Sequence, residues 1–327
     1  MKAVVIGGGS WGTGFARLLA DRGVAVTLAT RSREDAAHIR TSGRNPRYLC
    51  HVDLSGITAT SIAEAPTAET DLIVIALPSR AFAQVVRGLP EGVPVLSLSK
   101  GLDPDSGERL STLLGGRPVA VLSGPTMAEE VAAGLPGAAV VASDDGGLAR
   151  SLQESLNSTV FRVYLNGDLI GVELCAAAKN VIALAAGACD GLAAGDNAKA
   201  ALMTRGLAEM ARLGLAAGAD PETFYGLAGM GDLIVTCWHP SGRNRRAGEL
   251  IARGATPAQA VSRIGQVVEG LTTAPLLRDL ARRLGVELPI TESVCSVLEG
   301  RPLAELAAGL MGRAPTDEQP RGGRRSR

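Results

Sequence analysis

The chain has 327 residues, more than one typical domain, and its 33 basic residues balance 33 acidic ones to a net charge of 0. That balance argues against a generic nucleic-acid binder and against a polybasic membrane anchor. Among the basic residues only Lys2, Lys100, Lys179 and Lys199 are lysines; the rest are arginines. Arginine stays protonated in any protein setting, whereas a desolvated lysine can trade its proton near neutral pH. The four lysines are therefore the first candidates for chemistry.

Apolar residues make up 46% of the chain and aromatics only 3%, so the core must be aliphatic. The five cysteines (Cys50, Cys175, Cys189, Cys237 and Cys295) form no Cys-x-x-Cys pair. That fits a reducing compartment, not a disulfide framework or a zinc site. The apolar stretch after Met1 is too short for a signal peptide, and no apolar run approaches the ~18 residues of a membrane span. The expectation is a soluble cytoplasmic protein without a metal.

In chain order, the expected strands are Ala3–Ile6, Ala25–Ala29, Leu72–Ala76, Val95–Leu98, Val119–Leu122, Ala138–Ala142 and Phe161–Tyr164. Several are apolar on both faces, as buried parallel strands are. Helical stretches such as Thr13–Arg22 and Arg80–Gly88 separate the early ones. This alternation predicts an α/β, doubly wound Rossmann-like domain over residues 1–165. Beyond it strand signals fade and Ala/Leu-rich helical stretches take over, at roughly 168–190, 197–217, 244–253, 257–264, 272–284 and 291–299. An all-α domain is expected over 166–312. The polar, locally basic run over 313–327 is expected to be a disordered tail.

Gly7, Gly9 and Gly12 form Gly-x-Gly-x-x-Gly directly after the first strand and at the start of a helix. In that context the first glycine permits the turn, the second admits a pyrophosphate and the third lets helix and strand pack closely. The helix N-terminus then offers its free N–H groups to the phosphates. At the end of the second strand, where an NAD-specific site carries an acid, the chain reads Thr30-Arg31 with Arg33 beyond. A guanidinium suits a 2′-phosphate, so NADP(H) is favoured, and Glu34 keeps NAD(H) open. The plainer reading of both arginines is solvated loop charge.

Lys100 follows the strand Val95–Leu98, at the strand end where open α/β sheets place ligands; it could also be a solvated loop lysine. Lys179 lies within Gly171–Ala188, and its helical neighbours Cys175, Ala176, Ile182 and Ala183 are apolar. It must reach a polar cavity or a partner, and desolvation lowers its pKa toward the range useful for proton transfer. A purely structural ion pair is the alternative. Lys2 and Lys199 look like surface residues. In the segment from Gly226 to Gly248, Asp232 can orient an ammonium, and Arg243 and Asn244 at a helix start can cradle a phosphate. His239 invites a general-acid role, but an exposed or capping histidine is preferred. Cys237 is more simply a buried inert thiol than a nucleophile.

With these residues in place, the sequence resembles the bacterial NAD(P)-dependent glycerol-3-phosphate dehydrogenase family from Met1 to about residue 312. The segments that carry the resemblance include GGGSWGTGFARLLA, NPRYL, SKGLD, SGPTMAEEV, GVELCAAAKNVIALAAG, GLAGMGDLIVTC, GRNRRAG and VVEG. It implies that Ser10, Trp11 and Arg31 hold the cofactor and that Ala128, Val267 and Glu269 close over it. It implies that Lys100, Gly124, Thr126, Asp232, Gly242, Arg243 and Asn244 contact substrate or cofactor. It makes Lys179 the proton donor and acceptor, with Lys100 and Asp232 beside it in the catalytic group. Gly242 stands where the family usually has Ser, Cys50 where Pro is usual, and Cys175-Ala176 where a Gly pair is common.

The implied reaction is reversible hydride transfer from NAD(P)H to dihydroxyacetone phosphate, giving sn-glycerol 3-phosphate for phospholipid synthesis. A homodimer is also implied. The rival readings are a 3-hydroxyacid or 6-phosphogluconate-type dehydrogenase, which also carries a helical Lys followed by Asn, and a silent NADP-sensing protein.

Overall fold

The computed structural model describes residues 1–303, so the expected tail over 313–327 lies outside the described residues. The first half forms one sheet of β1 (Lys2–Ile6), β2 (Ala25–Thr30), β3 (Thr58–Ser61), β4 (Leu72–Ile75), β5 (Val95–Ser97), β6 (Val119–Ser123), β7 (Gly137–Ala142) and β8 (Phe161–Asn166). The strands are ordered β3-β2-β1-β4-β5-β6-β7-β8. Helices α1 (Ser10–Asp21), α2 (Arg33–Ser42), α3 (Ser79–Val86), α4 (Ala128–Ala132) and α5 (Gly146–Leu156) connect them. Every residue of β4, Leu-Ile-Val-Ile, is buried, because both faces of the sheet are covered.

Two features differ from the sequence expectation. Thr58–Ser61 is a strand although its residues are polar. It pairs only with β2 at the sheet edge and needs no apolar second face. β7 runs antiparallel to β6, and β8 then follows β7 in parallel. Apolar burial alone does not reveal strand direction.

The chain leaves β1 for β2 and β3 on one side, then returns to place β4 on the other. The crevice between the carboxyl ends of β1 and β4 is therefore the switch point where such sheets bind ligands. Lys100 and Gly124 lie just past β5 and β6 on the same side of the sheet.

The second half is helical: α6 (Leu169–Gly191), α7 (Asp196–Ala216), α8 (Pro221–Tyr225), α9 (Asp232–Trp238), α10 (Arg243–Ala252), α11 (Pro257–Ile264), α12 (Glu269–Leu284) and α13 (Pro289–Leu298). A π-helical turn over Leu227–Gly231 precedes α9. The central α6 is long and apolar enough, by length and composition, to cross a membrane. The expectation that no run approaches a span is corrected to that extent. Most of α6 is buried inside the protein, where the other helices wrap it.

Two contacts fix α6 in place. Glu173 accepts hydrogen bonds from Ser111 N (2.9 Å) and Arg109 Nη1 (2.7 Å), which ties α6 to the sheet domain. Glycines let the backbones of α6 and α10 meet. A Cβ on Gly187 would lie 1.8 Å from Arg245 O, and one on Gly248 would lie 1.9 Å from Leu184 O.

Candidate active site

The glycine motif builds a cradle at the switch point. Gly7 has φ +119°, and a Cβ there would lie 2.3 Å from Ala76 O. A Cβ on Gly12 would meet Gly7 O at 1.8 Å, so α1 presses directly on the turn. Around Gly9 the reverse holds, with nothing within 4 Å of a Cβ position. No side chain caps α1, so its first N–H groups stay available. Asn45 steadies the loop by donating from Nδ2 to Gly8 O (2.9 Å) and Thr13 Oγ1 (2.8 Å). Trp11 stacks edge-on against Phe15, and its Nε1 is buried without a hydrogen-bond partner among the described residues. An open glycine, an uncapped helix start and an orphan indole donor fit a dinucleotide phosphate.

Arg31 sits exposed just beyond β2 and makes no ion pair among the described residues. Arg33 instead pairs with Glu64 Oε1 at 2.8 Å. Glu34 lies in the first turn of α2. Ala128 opens α4, which packs on α1, and its carbonyl would lie 3.1 Å from a Cβ on Gly14. Val267 precedes α12. Glu269 begins that helix and accepts hydrogen bonds from Ser79 N (3.1 Å) and Ser79 Oγ (2.7 Å), bridging the two halves of the protein. Burial pushes its carboxyl upward, against those two hydrogen bonds.

The centre of the site is a shared carboxylate. Asp232 accepts from Lys179 Nζ at Oδ1 (2.6 Å) and from Lys100 Nζ at Oδ2 (2.7 Å). The π-helical turn before α9 aims Asp232 at both. A Cβ on Gly229 within it would lie 2.0 Å from Phe224 O. Lys179 also donates to Thr236 Oγ1 (2.8 Å), and Thr236 Oγ1 donates to Asp232 Oδ1 (3.2 Å). Thr236 is absent from the sequence-based candidates. Its only signal is that it lies one helical turn after Asp232 on α9.

Lys100 donates further to Gly124 O at 3.4 Å, which Thr126 Oγ1 shares at 3.2 Å. Burial lowers the Lys179 pKa to about 8, with Asp232 opposing that fall and Lys100 adding to it. Burial also raises the Asp232 carboxyl, but the two ammonium groups outweigh it and hold the group below its ordinary value.

An ammonium has three donors. Protein groups take two of those on Lys179, leaving one for a ligand oxygen.

Arg243 is the first residue of α10 and is exposed. Asn244 donates to Asn180 Oδ1 (2.8 Å) and accepts from Gly270 N (2.9 Å), so it joins α6, α10 and α12. One N–H of its amide remains for a ligand. The Gly242 N–H already donates to His239 O at 3.0 Å. A Cβ there would lie 3.0 Å from Thr236 O and 3.1 Å from His239 O, a tight fit for the serine usual in the resembled family. His239 is a half-buried residue that caps the end of α9 and pairs through Nδ1 with Ser241 Oγ. Cys237 is buried, which pushes its thiol up to about 12 and leaves it a poor nucleophile.

One sequence reading is corrected here. Lys199 is not a surface residue: it is 6% exposed and donates to both Asp190 oxygens at 2.9 Å. The polar segment at the start of α7 hid a partner supplied by the end of α6. Lys2 is exposed, as expected.

Comparison with known proteins matches both halves. Residues 2–149 match the family model described as NAD-dependent glycerol-3-phosphate dehydrogenase N-terminus, and residues 168–307 match its C-terminus. A relative named glycerol-3-phosphate dehydrogenase [NAD(P)+] from Moorella thermoacetica is 46% identical, covering 96% of each chain. One of the same name from Parafrankia is 45% identical, covering 97% of this chain and 98% of the other. The crystal structure of glycerol-3-phosphate dehydrogenase from Coxiella burnetii superposes with a TM-score of 0.90 at 37% identity, covering 95% of this chain and 99% of the other.

Proposed function

Because this chain belongs to the NAD-dependent glycerol-3-phosphate dehydrogenase family, we propose that it interconverts dihydroxyacetone phosphate and sn-glycerol 3-phosphate, the precursor of glycerophospholipids. The 3-hydroxyacid-type and NADP-sensor readings are not favoured, since both halves match this one family. One observation carries the mechanism: a single buried carboxylate holds two lysines, one to each oxygen.

The nicotinamide cofactor supplies the hydride to the carbonyl carbon when it is bound. The glycine turn, the start of α1, Ser10 and Trp11 would hold that cofactor, with Ala128, Val267 and Glu269 closing over it. As charge develops on the carbonyl oxygen, the free Lys179 Nζ–H stabilises it and delivers the proton. Asp232 and Thr236 aim that ammonium. Lys100 adds positive field beside Gly124 and Thr126. Arg243, with Asn244 and Gly242 at the start of α10, anchors the phosphate and so positions the carbonyl.

Protonation sets the direction of the pH dependence. Reduction needs Lys179 charged and oxidation needs it neutral. With a free-enzyme pKa of about 8, kcat/KM for reduction should fall tenfold per pH unit above that value. The value for glycerol 3-phosphate oxidation should rise through the same region. Nicotinamide absorbance measured in both directions tests this, and two profiles flat across pH 7–9 would remove Lys179 from the proton-transfer role.

For the cofactor, NAD(P) use follows from the family, and we propose a preference for NADP(H) carried by Arg31. Loss of a charged hydrogen bond costs about 1.5–3 kcal/mol. Arg31→Ala should therefore raise KM for NADPH by roughly 10- to 100-fold, while KM for NADH changes by less than about twofold. Equal losses for the two cofactors would mean that Arg31 does not read the 2′-phosphate.

We further propose a cytoplasmic homodimer with its domain boundary near residue 165. The five free cysteines support a reducing compartment. Met230, Ile234 and Trp238, exposed at four-residue spacing, offer an apolar stripe for a second copy. The two family matches, which meet between residues 149 and 168, support the boundary.

A further inference from the structure

A second ion-pair cluster lies behind the anchor. Lys199 on α7 donates to both oxygens of Asp190, near the end of α6. Arg245 on α10 pairs with Asp190 Oδ2 and with Glu249 Oε2 (3.1 Å), and it donates from Nη2 to Pro240 O (3.1 Å). The Lys199 ammonium also lies 4.9 Å from the centre of the Trp238 ring. The link from α9 to α10, residues 239–242, is therefore clamped at Trp238 on one side and at Pro240 on the other. That link carries the chain from Asp232 and Thr236 on α9 to Arg243 on α10.

Arg245 is two residues beyond Arg243, and its carbonyl packs against Gly187 of α6. Burial would raise the Asp190 carboxyl, but hydrogen bonds from Lys199 and Arg245 outweigh it and keep the group ionised. Among the described residues the cluster makes no hydrogen bond to Lys100, Lys179 or Asp232, so it is placed to act on geometry and not on the proton.

We propose that Lys199, acting through Asp190 and Arg245, is a positioning residue for the phosphate anchor. It holds the α9–α10 link so that Arg243 meets the substrate phosphate while Lys179 meets the carbonyl oxygen. This rests on the anchoring role of Arg243 proposed above. Arginine can replace Lys199, because its fork also reaches both oxygens of a carboxylate. Methionine keeps the length and leaves Asp190 with Arg245 alone.

The test compares dihydroxyacetone phosphate with dihydroxyacetone, which has the carbonyl but no phosphate, each with NADPH at high enzyme concentration. Arg243→Ala tests the anchor: kcat/KM should fall far more with the phosphorylated substrate than with the other. Lys199→Met should lower kcat/KM for dihydroxyacetone phosphate by between about 10- and 100-fold, mainly through KM. It should leave dihydroxyacetone turnover and KM for NADPH within about twofold. Lys199→Arg should restore most of the loss.

Equal losses of Lys199→Met on both substrates, or none on either, overturn the proposal even where Arg243→Ala behaves as an anchor. Equal losses in Arg243→Ala instead overturn the anchor reading, and the proposal falls with it. If Lys199→Met does not fold, Arg245→Lys decides. It keeps a cation near Asp190 but cannot also hold Pro240 O through a fork, so the same phosphate-selective loss is expected, and its absence overturns the proposal.

Discussion

Lys179→Arg should lower kcat for dihydroxyacetone phosphate reduction by about 10²- to 10⁴-fold, the usual worth of a positioned general acid. The charge survives the change. A guanidinium can still pair with Asp232, but it does not release its proton in this pH range. The carbonyl oxygen then keeps electrostatic support and loses its proton source. The Kd for NADPH should change by less than about twofold, because the glycine cradle lies on the sheet domain. The neighbours Cys175, Ala176, Ile182 and Ala183 are all buried, so the larger head strains α6, and Tm must be measured alongside kcat. A folded variant with near-normal turnover would sink the assignment.

The second large effect is expected from Asp232→Asn. Removing one partner of a buried ion pair costs about 3–5 kcal/mol, and here one carboxylate serves two cations. Deprotonation of Lys179 relieves part of that cost, so the lower end of the range is expected in a thermal or denaturant melt. The kinetic sign follows from the same change. Asp232 opposes the fall of the Lys179 pKa, so without it that pKa drops below about 8. The alkaline fall of kcat/KM for reduction should then begin at lower pH, and kcat at neutral pH should drop. If Asp232→Asn keeps the limb at about pH 8, the pKa of that limb does not belong to Lys179.

Parts of this site were legible in the sequence because they break a local rule. Three glycines between a β-branched run and a helix have a clear use. A lysine in an otherwise apolar helix must find a partner. Asp232 was a reasonable partner because three glycines precede it. Thr236 broke no rule. A threonine near a helix end is ordinary, and only the π-helical turn shows which face of α9 looks inward. Lys199 was misread for the opposite reason. A lysine beside Asp196 and Asn197 at a helix start suits solvent, and Asp190 comes within reach only once α6 and α7 pack. The edge strand Thr58–Ser61 escaped because a strand with one neighbour needs no apolar pattern. Pairing across elements, not residue type, is what single-sequence periodicity omits.

The glycine seam between α6 and α10 has a consequence for how this enzyme could change. Lys179 and Arg243 stand on the two helices whose main chains meet at Gly187 and Gly248. At those two points backbone meets backbone, with no side chain between them to be swapped for a larger or smaller one. The reach from carbonyl to phosphate is thus a ruler cut in backbone. Drift elsewhere in the aliphatic core leaves its length alone. A variant suited to a longer phosphorylated ketone would first have to open the seam, so the helical packing makes substrate length a slowly evolving trait.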